Sequence, residues 1–181
     1  MMHFVAALAI AVAVPQEKPV NPTAAALYDF SERLNAYLKL REDLGYKLEP
    51  LAPTPSASRL QARQQALAAA VRNARKNARP GDLIPGPVQD LIRQAVRADL
   101  IRRKPGDRRA ALAEVPDGPL PGINRNYPER AALATVPLLL LANLPRLPDN
   151  LRYRFFGRHV LILDGDVDIM IDYVRNTLPP R

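Results

Sequence analysis

LRYRFFGRHVLILDGDVDIMIDYVRNTL, residues 151–178, decides how the rest of the chain is read. β-Branched and aromatic residues crowd into three short runs here, separated by Gly157 and by Asp164-Gly165. That pattern predicts strands over 152–156, 159–163 and 168–174, joined as an antiparallel meander. Everything upstream reads as helix or proline-rich connector. The expected fold class is therefore α+β, with about four helices packed on one face of a small C-terminal three-stranded antiparallel sheet.

The helices follow from apolar spacing and from their stops. Asn21-Pro22 offers a cap and a first-turn proline. Leu27, Phe30, Leu34, Tyr37, Leu38 and Leu44 then recur at helical intervals, and Gly45 is the expected stop. Asp29 and Arg33 have ion-pair spacing on the wet side. After a proline-rich loop, a helix over 56–78 presents a narrow stripe of Leu60, Leu67, Val71, Ala74 and Ala78, with Pro80-Gly81 as its breaker. A third helix, 87–103, turns Val88, Leu91, Ile92, Ala95, Val96 and Leu100 inward. Asp107 is the expected cap of a short helix over 108–114. Residues 115–128 read as loop. A last helix is expected from Pro128, interrupted at Pro137, with its Leu138–Leu141 run deeply buried.

With 181 residues the chain is long enough for a sizeable core, and 22–181 reads as one domain. A hydrophobic fraction of 48% with 24% charged residues is ordinary for a globular chain, which argues against wholesale disorder. Cysteine is absent, so disulfides, thiolate metal sites and cysteine nucleophiles are excluded. Tryptophan is absent too, and stacking platforms for bases or sugars are scarce.

The N-terminus, MMHFVAALAIAVAV, is an apolar run of signal-peptide length. Ala11-Val12-Ala13 supplies the small residues of a cleavage site, and the polar PQEKPVNP follows. The expectation is a signal over 1–13 and a tether over 14–21. The run is short for a bilayer-spanning helix, and no segment of the mature chain reads as a transmembrane span. An interfacial anchor and a buried first helix are the alternatives.

A first helix with Phe30, Arg33 and Tyr37 is followed by the arginine/alanine helix LQARQQALAAAVRNAR and the Gly81-Asp82 turn, and further on by a Tyr127-Pro128-Glu129 corner and YRFFGRHVLILD. In that order the chain resembles, over most of 22–179, a family of small exported proteins from environmental Gram-negative bacteria. The resemblance implies export and a single compact domain. The family has no established activity, so it assigns no catalytic or binding residue.

The net charge of +8 is not evenly spread. Residues 55–110 hold 13 basic and 4 acidic side chains, net +9, while the flanking parts are close to neutral. Arg72, Arg75, Lys76, Arg79, Arg93, Arg97, Arg102 and Arg103 are thus the candidate anion-binding residues, with Lys104, Arg108 and Arg109 beyond them. A merely solubilising surface is the bland alternative.

Asp164, Asp166 and Asp168 form the only dense carboxylate cluster. A D-x-D-x-D run can hold a divalent cation through hard oxygens. An EF-hand, however, needs glycine sixth and glutamate twelfth; here Gly165 is second and Arg175 twelfth. A hairpin turn explains the same residues through backbone preferences. His159 is the one histidine beyond the signal, which removes multi-histidine metal sites. No serine lies in a G-x-S-x-G elbow.

These readings point to a non-enzymatic exported protein, periplasmic or envelope-associated, with no cofactor. Its basic helices would meet an anionic lipid, lipopolysaccharide or an acidic protein. A metal-dependent or hydrolase-like enzyme using Asp164, Asp166 and Asp168 is the alternative. A nucleic-acid-binding module is a third, open only if the chain is not exported.

Overall fold

The computed structural model describes residues 21–53, 56–128, 137–148 and 150–180. The expected signal, nearly all of the tether and the helix start over 129–136 lie outside the described residues.

Helix α1 spans Pro22–Tyr46, with the Asn21 side chain accepting from the Thr23 N–H at 3.0 Å. It runs one residue past the expected stop. Gly45 sits in its last turn, and its carbonyl accepts from Arg63 Nη2 at 2.9 Å, so a side chain of the next helix closes the end. Helix α2 spans Ala57–Ala74, capped by Ser56 through the Arg59 N–H. It stops earlier than expected because Arg75 leaves helical geometry and its carbonyl accepts instead from Asn124 Nδ2 at 2.8 Å. Helix α3 is Gly86–Arg102. Helix α4 is Pro105–Ala113; Pro105 starts it, and Asp107 lies in its first turn rather than at the cap.

The single-turn helix α5, Leu138–Leu141, corrects one expectation. Leu140 is buried there, while Leu139 is 81% and Leu141 43% exposed. A lone turn has one side against the protein, so four consecutive leucines cannot all be covered.

The sheet is as expected: β1 Leu151–Phe156, β2 His159–Asp164 and β3 Ile169–Val174, antiparallel in the order β1-β2-β3. Tyr153 faces Ile162 across β1 and β2, and Val160 faces Val174 across β2 and β3. One face meets the helices. Phe30, Leu34, Val71, Val88, Ile92 and Val96 join Tyr153, Val160, Ile162 and Ile171 in a single buried cluster. Full burial of each aliphatic side chain is worth about 1.5–3 kcal/mol before entropy is charged against it.

The second face is covered as well. Residues 115–128 cross it, and Leu120, Ile123 and Tyr127 pack on Phe156, Leu161, Leu163, Met170 and Tyr173. This is why all six residues of β3 are buried and its apolar alternation is lost. The same loop closes the outer edge of β3: Asn124 N–H donates to Met170 O at 2.7 Å, and Met170 N–H to Arg125 O at 2.8 Å. Asn124 makes that turn with a φ of 62°.

A bulge lies in β3. Leu163 pairs with Met170, but its neighbour Ile162 pairs with Asp172, which leaves Ile171 as the extra residue. Without it, Asp172 would share the face of Met170. With it, Asp172 turns to the helices beside Ile171.

Candidate functional site

Two polar centres sit between helices and sheet. In the first, Asp164 at the end of β2 is fully buried. Its Oδ2 accepts from the Tyr37 hydroxyl at 2.5 Å, and its Oδ1 from Arg41 Nη1 at 2.6 Å. Arg41 also reaches Asp166 Oδ2 at 2.9 Å, and Asn150 Nδ2 donates to the same oxygen. The Asp166 N–H donates to Asp164 Oδ1, a link that folds the turn. Burial first, and then the Asp164 charge, raises the Tyr37 pKa far above the ordinary tyrosine range, so Tyr37 is a fixed donor.

Of the three aspartates in the run, Asp164 and Asp166 thus converge on a guanidinium from α1. Asp168 is exposed, in a left-handed turn with a φ of 49°. Among the described residues no three histidine, aspartate or glutamate side chains are arranged to hold a metal ion. A cation at Asp164 and Asp166 would have to displace Arg41.

The second centre is Asp172, which the sequence reading passed over. It is fully buried, and its carboxylate is held by backbone N–H groups, with Arg75 and Arg33 close enough to feel its charge. Oδ1 accepts from the Gly81 N–H at 2.9 Å and the Tyr173 N–H at 2.8 Å. Oδ2 accepts from the Leu83 and Ile84 N–H groups, both at 2.9 Å. Burial raises its pKa, and these four donors pull it back down. The loop between α2 and α3 is thereby wound around one carboxylate, and Gly81, with a φ of 93°, lets the backbone turn in.

The eight basic residues singled out in the sequence divide into held and free. Arg75 is largely buried, lies 5.0 Å over the Tyr37 ring, and donates to Asn124 Oδ1 and to Ile171 O. Arg72 donates to Asn124 O at 3.1 Å and to Asn126 Oδ1. Both therefore rivet α2 to the loop over β3. Arg93 is held by Asp90, Gln89 and Arg175 O, and Arg103 by Asp99 at 2.7 Å. Arg102 turns back on Ala98 O in its own helix. Lys76, Arg79 and Arg97 are exposed, with no side-chain hydrogen bond or ion pair among the described residues.

Lys76 and Arg79 lie beyond the last residue of α2. Arg97 instead meets Arg108 of α4 and Arg158 of the β1–β2 turn around an open groove of about 510 Å³. Leu100, Ile101 and Leu178 supply its apolar part, and none of the described residues that line it is acidic. Arg158 is oriented by its Nε bond to Leu178 O at 3.1 Å. Its place in the site had no sequence signal, because the groove is made by elements distant in the chain.

No family model, curated protein or solved structure matches this chain. No helix among the described residues is long and apolar enough to cross a membrane.

Proposed function

We propose that this is a non-enzymatic exported protein of the cell envelope that binds an anionic lipid surface through the Arg97–Arg108–Arg158 groove. One observation carries the reading. Three guanidiniums from three separate elements line one open groove, with no acid among the described residues that line it. Such convergence is electrostatically costly unless an anion offsets it. Ile101, 70% exposed at the same groove, favours a lipid over a soluble acidic protein, since it can enter the headgroup boundary. Export is supported by the apolar run over 1–14 and the polar PQEKPVNP after it.

The test is flotation with phosphatidylglycerol and with phosphatidylcholine vesicles. The protein should float with the anionic vesicles at low salt and be released at high salt. Arg97→Ala/Arg108→Ala should weaken that binding on the order of 30-fold, at ~1 kcal/mol per cation near the surface. Equal binding to both vesicle types, or an unchanged double variant, removes the reading. Mass spectrometry of protein exported from the native cell should show an N-terminus at Val14; an intact Met1 in the cytosol removes the export half.

A further inference from the structure

A second groove, independent of the first, runs beside β1. Arg146, Arg152 and Arg154 line it, with Leu141, Leu144 and Tyr153 as part of its apolar wall, and it encloses about 680 Å³. Among the described residues that line it none is acidic.

Arg154 is the informative residue. Its Nη1 donates to Tyr153 O at 3.0 Å. Its Nε is buried and has no acceptor, the one buried side-chain nitrogen or oxygen among the described residues in that state. Burial, and then the neighbouring Arg152, lower its pKa. A half-buried guanidinium beside a like charge, with an unmet donor and no carboxylate partner among the described residues, is destabilising as it stands. Arg146 is exposed at the same groove and makes no side-chain hydrogen bond or ion pair among the described residues. An oxyanion in the groove would supply a counter-charge to these arginines and acceptors for their outer guanidinium nitrogens, in the planar geometry guanidinium favours. The apolar wall then asks for a carbon stem on that anion, and the volume lies in the range of small-ligand sites.

We infer that the groove beside β1 binds an amphiphilic oxyanion, a phosphate or carboxylate head on an apolar stem. The head meets Arg146, Arg152 and Arg154, and the stem lies along Leu141 and Leu144.

Titration calorimetry with hexyl phosphate, inorganic phosphate and hexanol tests this. Hexyl phosphate should bind saturably and at least tenfold tighter than inorganic phosphate, and hexanol should give no binding. Arg154→Lys keeps the charge and removes the fork, and should weaken hexyl phosphate about tenfold or more. Arg146→Ala, at an exposed position with nothing to unfold, should weaken it as well. Absent hexyl phosphate binding overturns the assignment. So does binding equal to inorganic phosphate, or binding untouched by both variants. Competition by phosphatidic-acid vesicles would identify the source as a membrane lipid; its absence would identify a soluble ligand. Arg97→Ala/Arg108→Ala should leave hexyl phosphate binding in place, so this assignment and the lipid-surface reading stand or fall separately.

Discussion

Tyr37 and Asp164 are 127 positions apart in the chain, and the hydroxyl of one lies 2.5 Å from the carboxylate of the other. Arg41, one turn further along α1, completes the grip on the same carboxylate. A charge with no solvent contact is tolerable only while those partners stay. Arg41→Met should therefore cost about 3 kcal/mol in urea unfolding, because it strands the buried Asp164. Tyr37→Phe/Asp164→Leu should cost less than the two single changes summed. A purely additive cycle would show that the two residues are not coupled.

The same geometry bears on cations. Millimolar calcium or magnesium should leave the melting temperature of the protein unchanged, since Arg41 already occupies Asp164 and Asp166. A clear rise would restore the aspartate run as a metal site.

Asp172→Asn separates charge from shape. Asparagine keeps one acceptor but turns an NH₂ toward two backbone N–H groups. The loss should be about 3 kcal/mol, as buried donors are left unmet. Hydrogen exchange of the Leu83 and Ile84 amides should quicken most, since they bond the same carboxylate oxygen. Protected amides in the variant would show that the carboxylate does not hold the loop.

Arginines that look alike in the sequence should behave differently. Arg75→Met removes the stack on Tyr37 and two hydrogen bonds and should destabilise by about 2–3 kcal/mol. Arg97→Ala should change stability by less than about 0.5 kcal/mol. Equal effects would contradict the division into held and free cations.

His159 gives a pH signature. The Asn176 N–H donates to its Nδ1 at 3.3 Å, the Tyr173 ring lies 6.5 Å away, and Arg158 and Arg175 are nearby. Burial, then Arg175 and Arg158, hold its pKa below the ordinary 6.5. The folded state thus takes up the proton less readily than the unfolded chain. Its stabilising share is complete above the ordinary pKa and is lost as pH falls through the lowered one. An NMR titration should place the midpoint below 6.5, and His159→Gln should flatten stability against pH in that window. A midpoint at or above the ordinary value would refute this.

The elements were legible because their signals are local. Runs of β-branched and aromatic residues punctuated by Gly157 and Asp164-Gly165 marked the strands, and the spacing of Phe30, Leu34 and Tyr37 marked the buried side of α1. What escaped depends on contacts distant in sequence. Asp172 reads as a polar interruption of IMIDYV, and only the bulge at Ile171 brings it to the helices. Arg72 and Arg75 have the composition of a wet helix end, yet Asn124 and Ile171 O draw them inward. Leu27 and Leu60 carry helical spacing but are 37% and 49% exposed. The second cover of the sheet escaped for a related reason: proline-rich loops have no period from which packing could be inferred.

The arrangement of β1 bears on how copies of this chain meet. The outer border of β3 is closed by residues 124–126, but β1 has a strand neighbour on one side only. Its ends are occupied, by Pro148 O on the Leu151 N–H and by the Tyr127 hydroxyl on Phe155 O. Between them stand Arg152 and Arg154. A second copy approaching border to border would bring two such pairs of positive charge together, and repulsion opposes the contact. Multivalent anions at high concentration would lift that barrier, so self-association of this protein should respond to the kind of salt present as well as to its ionic strength.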